Sequence, residues 1–251
     1  MILMLKDDDV ECRTFASMCL TNLANNELIQ NQVVLHGGLP ALFNHMKGGN
    51  IILQKCATMC VLNLAANELN HDPLMNLCII DAFTTNPCAN EEIRLYRTFG
   101  ISNLLSNDKI LGYVGANIEA VKFLLLMLQS KNRHSKCLSL ISLRRILTLP
   151  KNRDLLVDFK ILLKLNEMAS IEDIEIKVEV AACLCILSED KMYRSMIIRK
   201  CLPSLGTHRS MTQRPSFSKK GTEQTKKRIT KTPLHLETTL REAKDEREKS
   251  K

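Results

Sequence analysis

Asn22, Asn63 and Asn103 recur at nearly even spacing, and each is followed four positions later by another asparagine, Asn26, Asn67 and Asn107. A side-chain amide carries both donors and an acceptor. Regularly spaced along a surface, such amides can pair with the backbone of an extended peptide, one rung per repeat. The next rung in the series is Arg145, whose guanidinium could hold an acidic side chain. The one after it is Ile186, which has no polar group to offer. Asn26, Asn67 and Asn107 are read differently, as residues near a helix end that satisfy free carbonyls or neighbouring loops. Replacing Asn22, Asn63 and Asn103 by Ala is expected to leave stability nearly unchanged.

Other reactive residue types form no comparable pattern. Cys56 and Cys60 are four apart and Cys183 and Cys185 two apart, but neither makes a Cys-x-x-Cys pair with a second half-site. The ten Cys fall mostly in apolar periodic runs and read as reduced core residues of a cytoplasmic chain. The six His are scattered, and His36 reads as a capping or loop residue before a Gly turn. There is no Gly-rich phosphate loop, no Gly-x-Ser-x-Gly elbow and no recurring carboxylate pair. The expectation is a protein that is not an enzyme, with no cofactor and no metal.

The elements that position the amides are helical. Nine Gly and seven Pro in 251 residues are too few for a turn-dense β-fold, and Trp is absent. The longest apolar runs, such as Phe123 to Leu128, are far shorter than the roughly 18 to 20 residues a bilayer crossing needs. Five segments share a pattern: Ala16 to Ala24, Ala57 to Ala65, Thr98 to Leu105, Ile141 to Leu147 and Ala181 to Ser188. Aligning Asn22, Asn63, Asn103, Arg145 and Ile186 gives successive intervals of 41, 40, 42 and 41, a period of helical repeats longer than TPR or ankyrin units. A second landmark agrees: Gly37-Gly38-Leu39-Pro40-Ala41-Leu42 recurs as Lys200-Cys201-Leu202-Pro203-Ser204-Leu205, and Pro40 and Pro203 are separated by almost the same stretch of chain as Asn22 and Ile186. Each unit then carries a short helix, a Gly or Pro turn, a second helix such as 40–46, a loop, and a long third helix such as 51–66. Repeat three must draw its first two helices from 74–90 without a Gly turn, leaving Pro87 and Cys88 in a loop. In repeat four Gly112-Tyr113-Val114-Gly115-Ala116 reads as the turn before a second helix at 118–128.

The Gly-Gly-Leu-Pro-Ala-Leu turn at 37–42, followed in the next long helix by Ala-x-x-x-Val-x-Asn-Leu-Ala at 57–65, resembles the armadillo repeat family. The resemblance covers roughly 200 residues and is closest at 27–67. It implies an all-α, right-handed α-solenoid of about five repeats, the first incomplete, over 1–206; HEAT repeats are the alternative at this period. It also implies that the third helices line a concave peptide-binding groove, with Asn22, Asn63, Asn103 and Arg145 as its rungs. In importin-α a Trp four residues before the Asn sandwiches the stems of basic signals. Here those positions hold Met18, Met59, Phe99, Ile141 and Ala182, so the groove resembles a β-catenin-like or vacuolar armadillo-like one. Lined by Met18, Met59 and Phe99, it would suit an apolar or mixed, extended or helical segment of a protein partner, with core packing as the competing reading of those three side chains.

The net charge of +8 is concentrated at one end, since residues 207–251 hold 13 Lys or Arg against 6 Asp or Glu. Poor in large apolar residues, this tail reads as disordered, with a short helix at 234–244. Lys219, Lys220, Lys226, Lys227 and Arg228 form clusters suited to a nuclear-import signal, nucleic acid or an anionic surface; nucleic acid is disfavoured because Phe217 is the tail's one aromatic ring. This charge-driven adaptor is the alternative to groove binding. At the other end, Met1 to Asp9 reads as the close of a second helix leading into a third. Ile2, Leu3, Met4 and Leu5 should therefore offer an apolar edge through which the chain self-associates.

Overall fold

The computed structural model describes residues 1–84 and 90–200, which lie within one compact unit, Met1–Met211. Pro87 and Cys88, the boundary at 206 and the basic tail lie outside the described residues. Among the described residues five long helices carry the fold: α1 (Val10–Leu23), α4 (Ile51–Leu64), α7 (Glu91–Leu104), α10 (Arg133–Leu147) and α13 (Ile174–Ser188). Between them come pairs of shorter helices, α2 (Glu27–Leu35) with α3 (Gly38–Lys47), α5 (His71–Asn76) with α6 (Ile79–Thr84), α8 (Asp108–Ala116) with α9 (Ile118–Met127), and α11 (Arg153–Asp158) with α12 (Ile161–Ala169). A last short helix, α14 (Lys191–Lys200), follows α13, and no strand occurs among the described residues. Each long helix packs on the next, α1 on α4, α4 on α7, α7 on α10 and α10 on α13. The result is an all-α solenoid.

The long helices start where the sequence supplies a side-chain acceptor for free N–H groups. Asp9, Asn50, Asn90, Asn132 and Asp173 cap them in turn. The caps repeat the uneven intervals of the rungs, so every rung holds the thirteenth position after its cap. The other ends are closed by side chains reaching back from the following short helix. Gln30 Nε2 donates to the Ala24 carbonyl (2.7 Å), His71 Nε2 to Ala65 (2.9 Å), Arg153 Nε to Leu147 (2.9 Å) and Arg194 Nε to Ser188 (2.9 Å). Positions 30, 71, 112, 153 and 194 are evenly spaced, and only position 112, a glycine, has no side chain to give.

The turns between short helices depart from the sequence expectation in three repeats. Gly37 turns the chain in the left-handed region at φ 73°, where a Cβ is costly. Repeat three has no glycine there, yet Cys78 adopts φ 53° and makes the same turn; Lys160 does so in repeat five at φ 61°. In repeat four Gly112 and Gly115 do not form the turn. Both lie inside α8, and Gly115 is needed because a Cβ would collide with Asn152 and Ile146. The 87° bend between α8 and α9 falls at Asn117, in extended conformation with its side chain accepting from Ala120 N at 3.0 Å.

One continuous apolar core runs from Leu5 through Phe83, Leu124 and Leu143 to Tyr193. At the N-terminal edge Leu3–Lys6 form a single 3-10 turn rather than a regular helix. Leu5 is 1% exposed, packed in the core, and so does not belong to the apolar edge, whereas Leu3 is 84% exposed. No single described helix is long and apolar enough to cross a membrane.

Candidate functional site

The rungs fall in register on successive long helices, and the structure gives them a task that the sequence did not reveal. Asn63 Nδ2 donates to the carbonyl of Thr21, 3.1 Å away. Asn103 Nδ2 donates to Leu62 (3.1 Å), and an Arg145 terminal nitrogen to Ser102 (3.4 Å). In each case the acceptor is the residue just before the rung of the preceding repeat, so the rungs stitch helix to helix. Asn63 is buried, Asn103 and Arg145 are half-buried, and Asn22 is exposed. The expectation of three interchangeable exposed amides therefore fails at Asn63. Asn63 Nδ2 also lies 3.4 Å from Asn25 Oδ1, which occupies its second N–H. Asn103 spends one N–H on the preceding repeat and presents the other, with its Oδ1, in a fixed orientation.

Asn26, Asn67 and Asn107 stand at helix ends as expected, but they cap the N–H groups of the next element rather than free carbonyls. Their side chains accept from Leu28 N (2.9 Å), Leu69 N (3.0 Å) and Lys109 N (3.0 Å) at the start of the next short helix or 3-10 turn. The positions four before the rungs grade from closed to open. Met18 and Met59 are buried and Phe99 is half-buried. Met59 and Phe99 join Leu62 and Tyr96 in a small apolar cluster separate from the main core. Met59 thus packs between α4 and α7, Met18 is buried, and Phe99 is the most accessible of the three.

The same helices carry charge. Lys55 Nζ lies 2.7 Å from Glu92, Arg144 Nε 2.6 Å from Glu179, and Arg133 bonds both Asp173 and Glu175. These pairs join neighbouring long helices, and no spacing rule in the sequence exposed them. Arg145 pairs with no carboxylate among the described residues. Burial first, then the Arg144 cation, pulls its guanidinium below the ordinary value, with Glu179 opposing. It still stays charged, a half-buried cation available to an anionic group.

Burial pushes the Cys56 thiol up to about 11 and those of Cys60 and Cys183 up to about 12, so all three are protonated core side chains. Ser17 Oγ and His45 Nδ1 are 3.4 Å apart but enclosed, and no carboxylate among the described residues bonds to the ring. Among the described residues no three His, Cys, Asp or Glu side chains are grouped to hold a metal ion. The basic-tail residues Lys219, Lys220, Lys226, Lys227 and Arg228 lie outside the described residues.

No protein-family model matches the chain, and no curated protein matches it by sequence. Among solved structures it is similar to computationally designed armadillo repeat proteins for modular peptide recognition, at 16% identity and a TM-score of 0.76, over 91% of this chain and 96% of that one. It is similar also to a designed armadillo repeat protein in complex with a (KR)4 peptide (16% identity, TM-score 0.74, 91% and 95% covered). An engineered protein gives 18% identity and a TM-score of 0.72 over 91% and 95%. Together with the capped long helices and their near-constant period, these likenesses show that the chain has an armadillo-like repeat fold.

Proposed function

We propose that the chain is a non-catalytic scaffold that binds an extended or helical segment of a partner protein along α1, α4, α7 and α10. The observation that supports this reading is the set of rungs Asn63, Asn103 and Arg145, each oriented by the preceding repeat, with polar capacity left over at Asn103 and Arg145. A rung whose direction is already fixed loses little further entropy when a peptide backbone pairs with it. Designed proteins of the same fold recognise peptides, one of them a (KR)4 peptide. Where an importin-α-like groove would hold a Trp this chain has Met18 and Met59, both buried, and the half-buried Phe99, and with the half-buried cation at Arg145 this leaves Phe99 and Arg145 to meet a ligand. The segment it takes is therefore apolar or mixed with an acidic side chain, in the β-catenin-like or vacuolar armadillo-like manner.

The test is a random peptide display library selected on the full chain, with (KR)4 as a comparison probe. Enriched peptides should carry an acidic residue among apolar ones and lose at least tenfold in affinity on Arg145→Glu. They should outbind (KR)4 and lose little with added salt. Enrichment of basic peptides, or binding indifferent to Arg145→Glu and to Asn103→Ala, overturns the reading. Binding that collapses steeply with salt and is lost when Lys219, Lys220, Lys226, Lys227 and Arg228 are neutralised favours the charge-driven adaptor instead.

A further inference from the structure

The chain repeats one helix-to-helix interface four times, which fixes what each end of the stack can accept. A long helix presents the positions one, five, eight and twelve after its cap to the next long helix. The next helix answers with its cap and its positions two, six, ten and thirteen. Lys55, at position five, meets Glu92, at position two. Thr21 Oγ1, at twelve, donates to the Cys56 carbonyl, at six, over 3.0 Å. Cys183 Sγ, at ten, lies 3.8 Å from the Leu140 carbonyl, at eight.

In α13 the presenting positions are Ile174, Val178, Ala181 and Cys185, all exposed, with Ile174 at 82% and Val178 at 56%. In α1 the answering positions include Cys19 and Asn22, both exposed. The Cys185 carbonyl stands where those of Thr21, Leu62 and Ser102 stand in the interior. It receives Ser188 Oγ at 2.7 Å and, having two lone pairs, can take the amide of a rung as they do.

The layer behind α1 repeats the complementarity. The turn Leu3–Lys6 is the counterpart, one repeat earlier, of 44–47, the last turn of α3. Beside it opens an apolar hollow of about 460 Å³ lined by Met1, Leu3, Leu20, Leu23, Ile29 and His36. By register this hollow occupies the place of a first short helix. At the far end α14 is a first short helix, packed on α12 and α13 and exposing Met192 and Ile198. One end therefore carries the element for which the other has room.

We propose that these two ends are one interface, and that a second copy of this chain docks head to tail, seating its α14 in the hollow of the first and its α13 stripe on α1. Asn22 of one copy then donates to the Cys185 carbonyl of the next, continuing the rungs across the junction. Because the two surfaces differ, the contact is heterologous and does not close at a dimer. The contact is made by apolar side chains and an amide-to-carbonyl bond rather than by an ion pair, so added salt leaves the assembly in place.

Sedimentation velocity on the full chain tests this with two exposed-surface variants, Leu3→Lys with Cys19→Lys at one end and Ile174→Lys with Val178→Lys at the other. The wild type should form species that grow with concentration beyond twice the monomer mass, undiminished in high salt. Each variant alone should be a monomer with an unchanged helical spectrum and melt. A mixture of the two retains one good end of each kind, so it should give a 1:1 dimer and stop there. A wild type that stays monomeric, a mixture that stays monomeric, or either variant still associating alone overturns the proposal. So does assembly lost in high salt, which points to charge rather than to these apolar ends.

Discussion

Alanine at the three asparagine rungs should produce a graded response rather than a uniform one. Asn63→Ala removes the bond to the Thr21 carbonyl in a buried setting, a loss of about 1 to 2 kcal/mol once the orphaned carbonyl is counted. Better helix propensity of Ala returns roughly 0.5 kcal/mol, for a net destabilisation of about 1 kcal/mol. In a domain of this size that lowers Tm by about 2–4 °C. Asn103→Ala breaks an equivalent bond where water can substitute, so its two terms nearly cancel. Asn22 is exposed, so only propensity acts and Asn22→Ala holds or slightly raises Tm. Asn63→Asp sharpens the test, since it turns a donor into a charged acceptor against a carbonyl; it should cost more than Ala, while Asn22→Asp is nearly silent. Thermal and urea unfolding read all five variants. Equal effects at the three positions, or Asn63→Asp milder than Asn63→Ala, would refute the stitching role.

Two further perturbations test the packing around the rungs. Gly100→Ala ought to gain roughly 1 kcal/mol from helix propensity, but the added Cβ would collide with the Phe83 ring, and overpacking costs about 1 to 3 kcal/mol. It should lower Tm in the wild type and raise it in a Phe83→Leu background; stabilisation in both would place α6 wrongly against α7. His45 is held below the ordinary imidazole value by burial first and then by Arg13, with a bond involving the Leu5 backbone opposing. Its neutral form is favoured by folding, so its contribution is intact above pH ~6.5 and lost as pH falls toward the folded value. Stability measured between pH 7 and 5 should drop, and His45→Gln should flatten that drop; an unchanged slope would show that His45 does not titrate there.

The period, the helices and the rung positions were legible because they depend on local residue types. An apolar stripe, a recurring Asn and the Gly turn at 37–38 each leave a mark within a few residues. What stayed hidden depends on contacts across a repeat. Lys55 and Glu92, or Arg144 and Glu179, sit on different helices and share no motif, so only helix stacking brings them together. The left-handed turns at Cys78 and Lys160 were invisible for the opposite reason. Those residue types do not favour positive φ, and the surrounding helices impose it. Leu5 illustrates a third limit, since hydrophobicity alone could not say which of four consecutive apolar residues faces the core and which faces water.

The unequal intervals show which feature the fold protects. From cap to rung the count is the same in every long helix, although the cap-to-cap distances are 41, 40, 42 and 41. The positions that close the long helices, 30, 71, 112, 153 and 194, keep an even spacing. One residue is therefore missing between Cys78 and Asn90 and one is added between α7 and position 112, so the slip is absorbed on either side of α7. A shift within α7 itself would turn Asn103 about 100° around the helix and break its bond to Leu62, along with the Lys55–Glu92 pair. Connections can vary at little cost, whereas a third helix out of phase forfeits both neighbours at once. The rungs are thus held in line by the requirement that each repeat fit the last, and the orientation of the half-buried Asn103 and Arg145 is a consequence of how the stack is built.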